Sequence, residues 1–418
     1  MTYVNSEISK LEKVIVHRPD RGIERISPRR AEELLFDDIV HLPLMRQEHN
    51  TFTDILKAFV GMDNVLETEQ LIEEALDHDP QLRSELLDKV LDYEELPKSY
   101  LGQLATLANH ELTKVLISGY EEVEDIIYFD PIPNFIFTRD IAITVQDHVI
   151  ITKAAKEARA RENLLTRFIF LAHPMFRELK NSDKIINLNN IDLFPPSRKG
   201  ENVSIEGGDM MMIERDYLLI GCSERTTAHA FDSLKKHLHD KGIKINMVKI
   251  NIPAERSFMH IDTLFTRIDT DAIVCYKPII YDGLGSNVEM HAYDGSETVY
   301  PSVKDFFLGE INPYMKFIFS GNGESPYQER EQWTDGCNLV AIQPGVGLTY
   351  DRNPKTEISF AENGYKVISA EEFLSGYKEK IISPSELKKT IIKFPSSELS
   401  RARGGSHCMT CPIQRTKY

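Results

Sequence analysis

Apolar runs along this chain come in pairs separated by short polar turns, a pattern that predicts hairpins of two short strands. It occurs in FTRDIAITVQDHVIIT (137–152), GGDMMMIERDYLLIGCS (207–223), IDTLFTRIDTDAIVCYK (261–277) and CNLVAIQPGVGLTYD (337–351). In the first two, an Asp in the turn (Asp147, Asp216) follows by seven residues an Asp that opens the unit (Asp140, Asp209). The third opens with Asp262 and turns near Asp269 and Asp271. SEISKLEKVIVHRPD near the N-terminus reads as a partial fifth copy whose second strand comes from elsewhere. A repeated unit cannot bury its own apolar face alone, so repetition predicts radial or solenoid stacking, and five copies favour a closed ring.

Helical spacing follows some of these pairs, in ARARENLLTRFIFLAH after the first and TTAHAFDSLKKHLHD after the second, which makes the unit α/β rather than all β. Between residues 69 and 119 the pattern changes. Leu82, Leu86 and Val90 recur at helical intervals behind Asp79-Pro80, a cap followed by proline at the first helical position. Leu101, Leu104 and Leu107 continue the signal past Pro97, so the stretch reads as a helical insertion. From Tyr281 to Gly336 the chain is rich in Gly, Pro, Ser and Asn, and only PSVKDFFLG suggests a short helix.

Composition narrows the function. With 49 Lys and Arg against 65 Asp and Glu in 418 residues, the formal charge is −16. Such a surface disfavours nucleic acid, whose phosphates need clustered basic residues, and favours a cationic small substrate. No apolar run reaches a membrane span, and the N-terminus lacks the layout of a signal peptide, so the chain reads as cytosolic. Five Cys, an odd and scattered set, predict reduced thiols.

Cys408 lies in a loop with Gly404, Gly405, Arg403 and His407, where backbone can approach a ligand and nearby positive charge favours the nucleophilic thiolate. His407, Cys408 and Cys411 also permit a zinc reading, although one CxxC is a weak signal. A catalytic Cys needs an imidazole folded against it; His260, two residues before Asp262, opens the third pair. Asp140, Glu206 and Asp209 hold the same address in the first two pairs. If the units share an axis, these groups converge on one cavity, where carboxylates repel unless a cation compensates. Mg or Ca would serve. So would a guanidinium, whose planar fork two carboxylates can grip, and a Cys with a His points to that organic cation rather than to a metal.

PNFIFTRD (133–140), ARARE (158–162), EGGD (206–209), SERT (223–226), MHIDT (259–263) and RGGSHCMTCP (403–412) resemble, in order, the motifs of the bacterial arginine deiminase family, and the resemblance runs end to end. It implies a single domain over 1–418, a five-bladed α/β propeller of pseudo-fivefold ββαβ units with the helical insertion at 69–119. It implies hydrolysis of L-arginine to L-citrulline and ammonia, without cofactor or metal, in an enzyme whose relatives are commonly homo-oligomers. The family's nucleophile matches Cys408 and its acid/base matches His260. Its guanidinium-binding acids match Asp140 and Asp262, and Glu206 corresponds to the carboxylate that orients the imidazole. Asp209 corresponds to a further pocket acid, Arg159 and Arg225 to the groups that meet the α-carboxylate with Asn134 and Arg403 nearby, and Phe137 to a residue packed on the substrate. Ile132 and Ile261 replace Met and Leu common in the family, apolar exchanges that leave the polar set intact. An amidinotransferase, or a deiminase of another guanidino compound, is the alternative within the same resemblance; agmatine lacks the carboxylate that Arg159 and Arg225 would bind.

Overall fold

Four of the sequence hairpins become antiparallel strand pairs, and in each the second strand takes a parallel third strand on its outer side. The computed structural model describes residues 2–36 and 38–418. A first sheet centres on Leu11–Val16, flanked in parallel by Val65–Glu67 and antiparallel by Cys411–Arg415. The strand missing from the N-terminal unit is thus supplied by the C-terminus. The second sheet is Ala142–Val145, His148–Ile151 and Ile185–Asn187. The third begins with Met210–Glu214, Tyr217–Cys222 and Asn246–Asn251. The fourth holds Phe265–Asp269, Ala272–Cys275 and Lys316–Phe319. The fifth holds Val340–Gln343, Val346–Tyr350 and Thr390–Phe394, with Lys366–Ser369 on its edge.

A parallel third strand requires a crossover, and helices provide it. Ala160–Ala172 joins the second and third strands of the second sheet, and Ala228–Asp240 does so in the third, where the Thr227 hydroxyl accepts from Ala230 N as the N-cap. The stretch from Tyr281 to Gly336 is built of short elements. Asn287–His291 and Glu297–Tyr300 extend the third sheet, Val303–Phe306 is helical, and Lys316–Phe319 completes the fourth sheet. Its Gly and Pro content marks the turns between these short elements. Before the second sheet come the helices Thr68–His78, Pro80–Tyr93, Ser99–Thr106 and Asn109–Ser118. The Asp79 carboxylate accepts from Leu82 N at 3.0 Å, and Leu86, Leu87, Val90 and Leu91 turn inward.

The apolar faces are buried between sheets that follow one another in the chain. Ile143, Val145 and Ile150 of the second sheet meet Met210, Met212 and Ile220 of the third. Met211, Leu219 and Val248 of the third meet Phe265 and Ile273 of the fourth. Ile268, Val274 and Ile318 of the fourth meet Ala341 and Ile391 of the fifth, and Leu348 and Ile392 of the fifth meet Val14 and Val16 of the first. Ile15 and Ile413 of the first share a cluster with Val149 and Ile151 of the second and with the four helices. Each fully buried Ile, Leu or Phe contributes roughly 1.5–3 kcal/mol of transfer free energy. Among the described residues no helix is long and apolar enough to cross a membrane.

Candidate active site

Five polar side chains stand a few residues before a strand in the five larger sheets: the strand that begins each hairpin or, in the first sheet, the C-terminal strand. Asp140 precedes Ala142–Val145; Glu206 leads into the short turn Gly207–Asp209 before Met210–Glu214; His260 leads into Ile261–Thr263 before Phe265–Asp269. Asn338 precedes Val340–Gln343 and Cys408 precedes Cys411–Arg415. A small cavity of about 40 Å³ lies over this region, lined by Asn134, Phe137, Asp140, Arg159, Arg225, His260, Arg403 and Cys408, together with Leu35, Met259, Thr263 and Ala402.

The Gly-Gly pairs exist because groups approach their backbone closely. A Cβ on Gly208 would lie 2.6 Å from His260 Nδ1, and one on Gly404 would lie 2.3 Å from the Phe137 ring. Either would displace a side chain that faces the cavity.

His260 is buried, with Nε2 2.8 Å from Glu206 Oε2 and Nδ1 3.7 Å from Asp140 Oδ1. Burial opposes its charge, but Asp140 and the Glu206 hydrogen bond outweigh that effect and hold its pKa up at about 10. Burial likewise opposes the charge of Glu206, which His260 and Arg159 nevertheless keep well below the usual carboxylate range. The imidazole is therefore a cation at neutral pH.

The Cys408 thiol donates to Asp262 Oδ2 at 3.4 Å. Burial, reinforced by the charges of Asp262 and Asp140, pushes its pKa well above the ordinary thiol value, so the unliganded site holds a thiol. Asp262 is fully buried behind it, and burial is outweighed by the His407 hydrogen bond and charge, which lower its pKa. Its Oδ2 also faces His407 Nδ1 at 2.9 Å, while its Oδ1 is buried without a hydrogen-bond partner.

Arg159 occupies the acidic side of the cavity. Its Nη1 lies 2.7 Å from Asp140 Oδ2 and 3.5 Å from Glu206 Oε2, and its Nη2 lies 2.8 Å from Glu162 Oε2. Arg225 sits 3.6 Å from Glu206 Oε1 and donates to Met259 Sδ at 3.4 Å. Asn134 spends its amide on Leu34 O at 2.7 Å, and Arg403, with φ of 58°, places its guanidinium 3.4 Å above the Trp333 ring.

Of the four candidate acids Asp140 lines the cavity, whereas Glu206, Asp262 and Asp209 lie buried behind its wall, and Asp209 is turned to backbone. It lies fully buried beneath it, accepting from Ile261 N at 2.9 Å and Ser223 Oγ at 2.6 Å, so it holds the segment carrying His260. Burial raises its pKa to about 6. The zinc grouping also disperses: both His407 nitrogens face carboxylates, and Cys411 Sγ faces Ala142 O. Asp140, Glu206 and His260 each offer one ligand atom within 4.8 Å of the others, a geometry open to a cation, and the Arg159 guanidinium supplies charge there.

Asn338 escaped the sequence reading. Its Nδ2 donates to Cys408 Sγ at 3.2 Å and to Asp262 O at 3.1 Å, and its Oδ1 accepts from Cys408 N at 3.1 Å. The signal was available, since Asn338 opens the fourth hairpin where acids open the other three. Glu162, which anchors Arg159, could not be distinguished from an ordinary surface acid of a helix.

The family model described as arginine deiminase matches residues 32–117 and 94–415 of this chain. An arginine deiminase of Bacillus cytotoxicus is 34% identical over 99% of this chain and 98% of its own length, and one of Staphylococcus aureus is 33% identical over the same shares. Among solved structures, the product-bound N-terminal domain of ArgZ, an arginine dihydrolase of cyanobacteria, aligns with a TM-score of 0.53 at 13% identity over 97% of this chain and 98% of its own. DDAH from Pseudomonas aeruginosa, complexed with citrulline, aligns with a TM-score of 0.51 at 13% identity over 96% and 99%. These structural likenesses establish an α/β fold of the same kind.

Proposed function

The chain belongs to the arginine deiminase family, and from that membership we propose that it hydrolyses L-arginine to L-citrulline and ammonia through a covalent adduct on Cys408. The observation that carries the reading is the meeting of Cys408 and the Glu206-bound His260 at one cavity lined also by Asp140, with Asp262, whose Oδ1 has no hydrogen-bond partner, buried behind Cys408. A guanidinium resists attack because its charge is delocalised; two carboxylates hold it planar, and its charge in turn favours ionisation of the adjacent thiol. The substrate therefore supplies the cation that Cys408 lacks at rest.

In this scheme Arg159 leaves Asp140 as the substrate guanidinium arrives, and turns with Arg225 and Arg403 toward the α-carboxylate, while Phe137 packs on the chain. As the guanidinium binds, the Cys408 thiol loses its proton to solvent, and the thiolate adds to the central carbon. His260 gives its proton to the leaving nitrogen, ammonia departs, and a thiouronium remains on sulfur. Neutral His260 then takes a proton from water, whose hydroxide adds to the same carbon; the C–S bond breaks to release citrulline, and the hydroxyl proton passes to the departing sulfur to restore the thiol. The charges required come from substrate, His260 and arginines, so no step calls for a metal or cofactor.

The closed series of inter-sheet cores supports a five-bladed propeller, with the helices at 69–119 as an insertion in one catalytic domain. Five free cysteines suit a cytosolic location, and a homo-oligomer completes the proposal; light scattering measures its mass. The direct test is incubation with L-arginine, with agmatine, and with arginine plus glycine, followed by product mass analysis. Citrulline from arginine supports deimination; guanidinoacetate would instead make the protein a transferase.

A further inference from the structure

Behind the nucleophile runs a buried polar chain that the scheme above does not use. His407 precedes Cys408 and spans two carboxylates: Nδ1 lies 2.9 Å from Asp262 Oδ2 and Nε2 lies 3.1 Å from Glu7 Oε2. An ionised carboxylate only accepts, so both contacts are hydrogen bonds when both ring nitrogens carry hydrogen and the ring is a cation. Glu7 enters from the N-terminal segment, where its own N–H donates to Met212 O at 2.8 Å. Its Oε1 lies 3.4 Å from Arg139 Nη1. Burial opposes the charge of Glu7, but Arg139 and His407 outweigh it and hold its pKa near 2. Arg139 also holds the loop directly, donating from its backbone N to Cys408 O at 2.9 Å. The charged groups around His407 are thus Glu7, Asp262 and Arg139, with the titratable Cys408 thiol beside them, Arg415 acting on Glu7 and His260 on Asp262.

We propose that His407 is a positioning residue: clamped by Glu7, it pins Asp262 Oδ2 beside the Cys408 thiol and leaves Oδ1 as the oxygen presented to a guanidinium. The inference rests on the reading that Cys408 attacks a guanidino carbon. Its second consequence is electrostatic. An N–H bonded to Asp262 draws charge from this carboxylate and eases the repulsion it exerts on a thiolate, so His407 lowers the cost of ionising Cys408.

The test compares His407→Ala, His407→Asn and Glu7→Gln with the unaltered protein. His407→Ala should lower kcat/KM for arginine by roughly 10- to 100-fold, the effect of losing a partner that orients a functional group. His407→Asn keeps an N–H for Asp262 without the charge or the reach to Glu7, and should recover part of that loss. Both should move the pH midpoint of Cys408 alkylation by iodoacetamide upward, followed by mass analysis of the Cys408 peptide. Glu7→Gln, an isosteric change suited to preserve folding, loosens the clamp on the ring and should lower kcat/KM in the same direction by a smaller factor. Wild-type kcat/KM in His407→Ala would overturn the proposal. So would equal losses in the Ala and Asn variants with an unmoved alkylation midpoint, the mark of a packing role. Absence of citrulline from the unaltered protein would instead refute the function, whereas the alkylation midpoint reports on His407 without turnover.

Discussion

Arg159 Nη1 stands 2.7 Å from Asp140 Oδ2, so a guanidinium of the protein occupies the acceptor proposed for the guanidinium of the substrate. The cavity that remains, about 40 Å³, is far below the ~300 Å³ or more usual for small-molecule sites, which is why the proposed scheme has this ion pair open as arginine enters. Arg159→Ala should therefore act in opposite directions on two substrates. It removes a competitor for Asp140 and raises kcat/KM for agmatine, while the loss of a carboxylate partner lowers kcat/KM for L-arginine. Steady-state assays with both compounds decide it, and a parallel fall in both would refute the competition.

Arg225 faces Glu206 at 3.6 Å rather than Asp140. Arg225→Ala should lower kcat/KM for L-arginine by roughly 10- to 100-fold, the worth of a charged hydrogen bond, and leave agmatine turnover unchanged. Equal losses for both substrates would place Arg225 outside carboxylate binding.

Removing the proposed nucleophile should end covalent chemistry. Cys408→Ala should reduce turnover by a factor on the order of 10⁴ or more while arginine still binds, as calorimetry would show. Acid quenching during turnover should trap a mass adduct on the Cys408 peptide of the unaltered protein.

Gly208→Ala places a methyl group 2.6 Å from His260 Nδ1. The imidazole must shift from Asp140 and Glu206, so kcat should fall with little change in thermal unfolding. Normal turnover in this variant would contradict the position given to His260.

His17 is a buried group outside the site, 3.1 Å from Asp20 and 3.5 Å from Glu67. Burial opposes its charge, but hydrogen bonds to Asp20 and Glu67 outweigh it and raise its pKa to about 10. A raised folded pKa gives stability that is full below the unfolded value near 6.5 and lost as pH rises through about 10. Urea unfolding should accordingly show a larger penalty for His17→Gln at about pH 6 than at about pH 10; a pH-independent penalty would show that its charge contributes nothing.

The hairpins and the helix over Pro80–Tyr93 were legible because they rest on local facts: alternation of apolar runs, helical spacing, and a proline behind a capping Asp. The stretch after Tyr281 was not legible, since its strands are short and half-exposed and are paired to sheets whose other members lie far away in sequence. Of the site, Asp140, Glu206, His260 and Cys408 could be read from their shared address and their chemistry. The inward or buried direction of each carboxylate could not.

The sequence alone determined the repeating α/β unit and the polar residues that open it, because strand alternation and turn chemistry act over a few neighbouring positions. Tertiary structure decided that Arg159 rests on Asp140, that Asp209 holds backbone beneath the cavity, and that Asn338 grips the Cys408 sulfur. It also brought Glu7 against His407, 400 residues further along the chain. Such pairings depend on which charges share a volume sheltered from water, a property of packed sheets that no single segment carries.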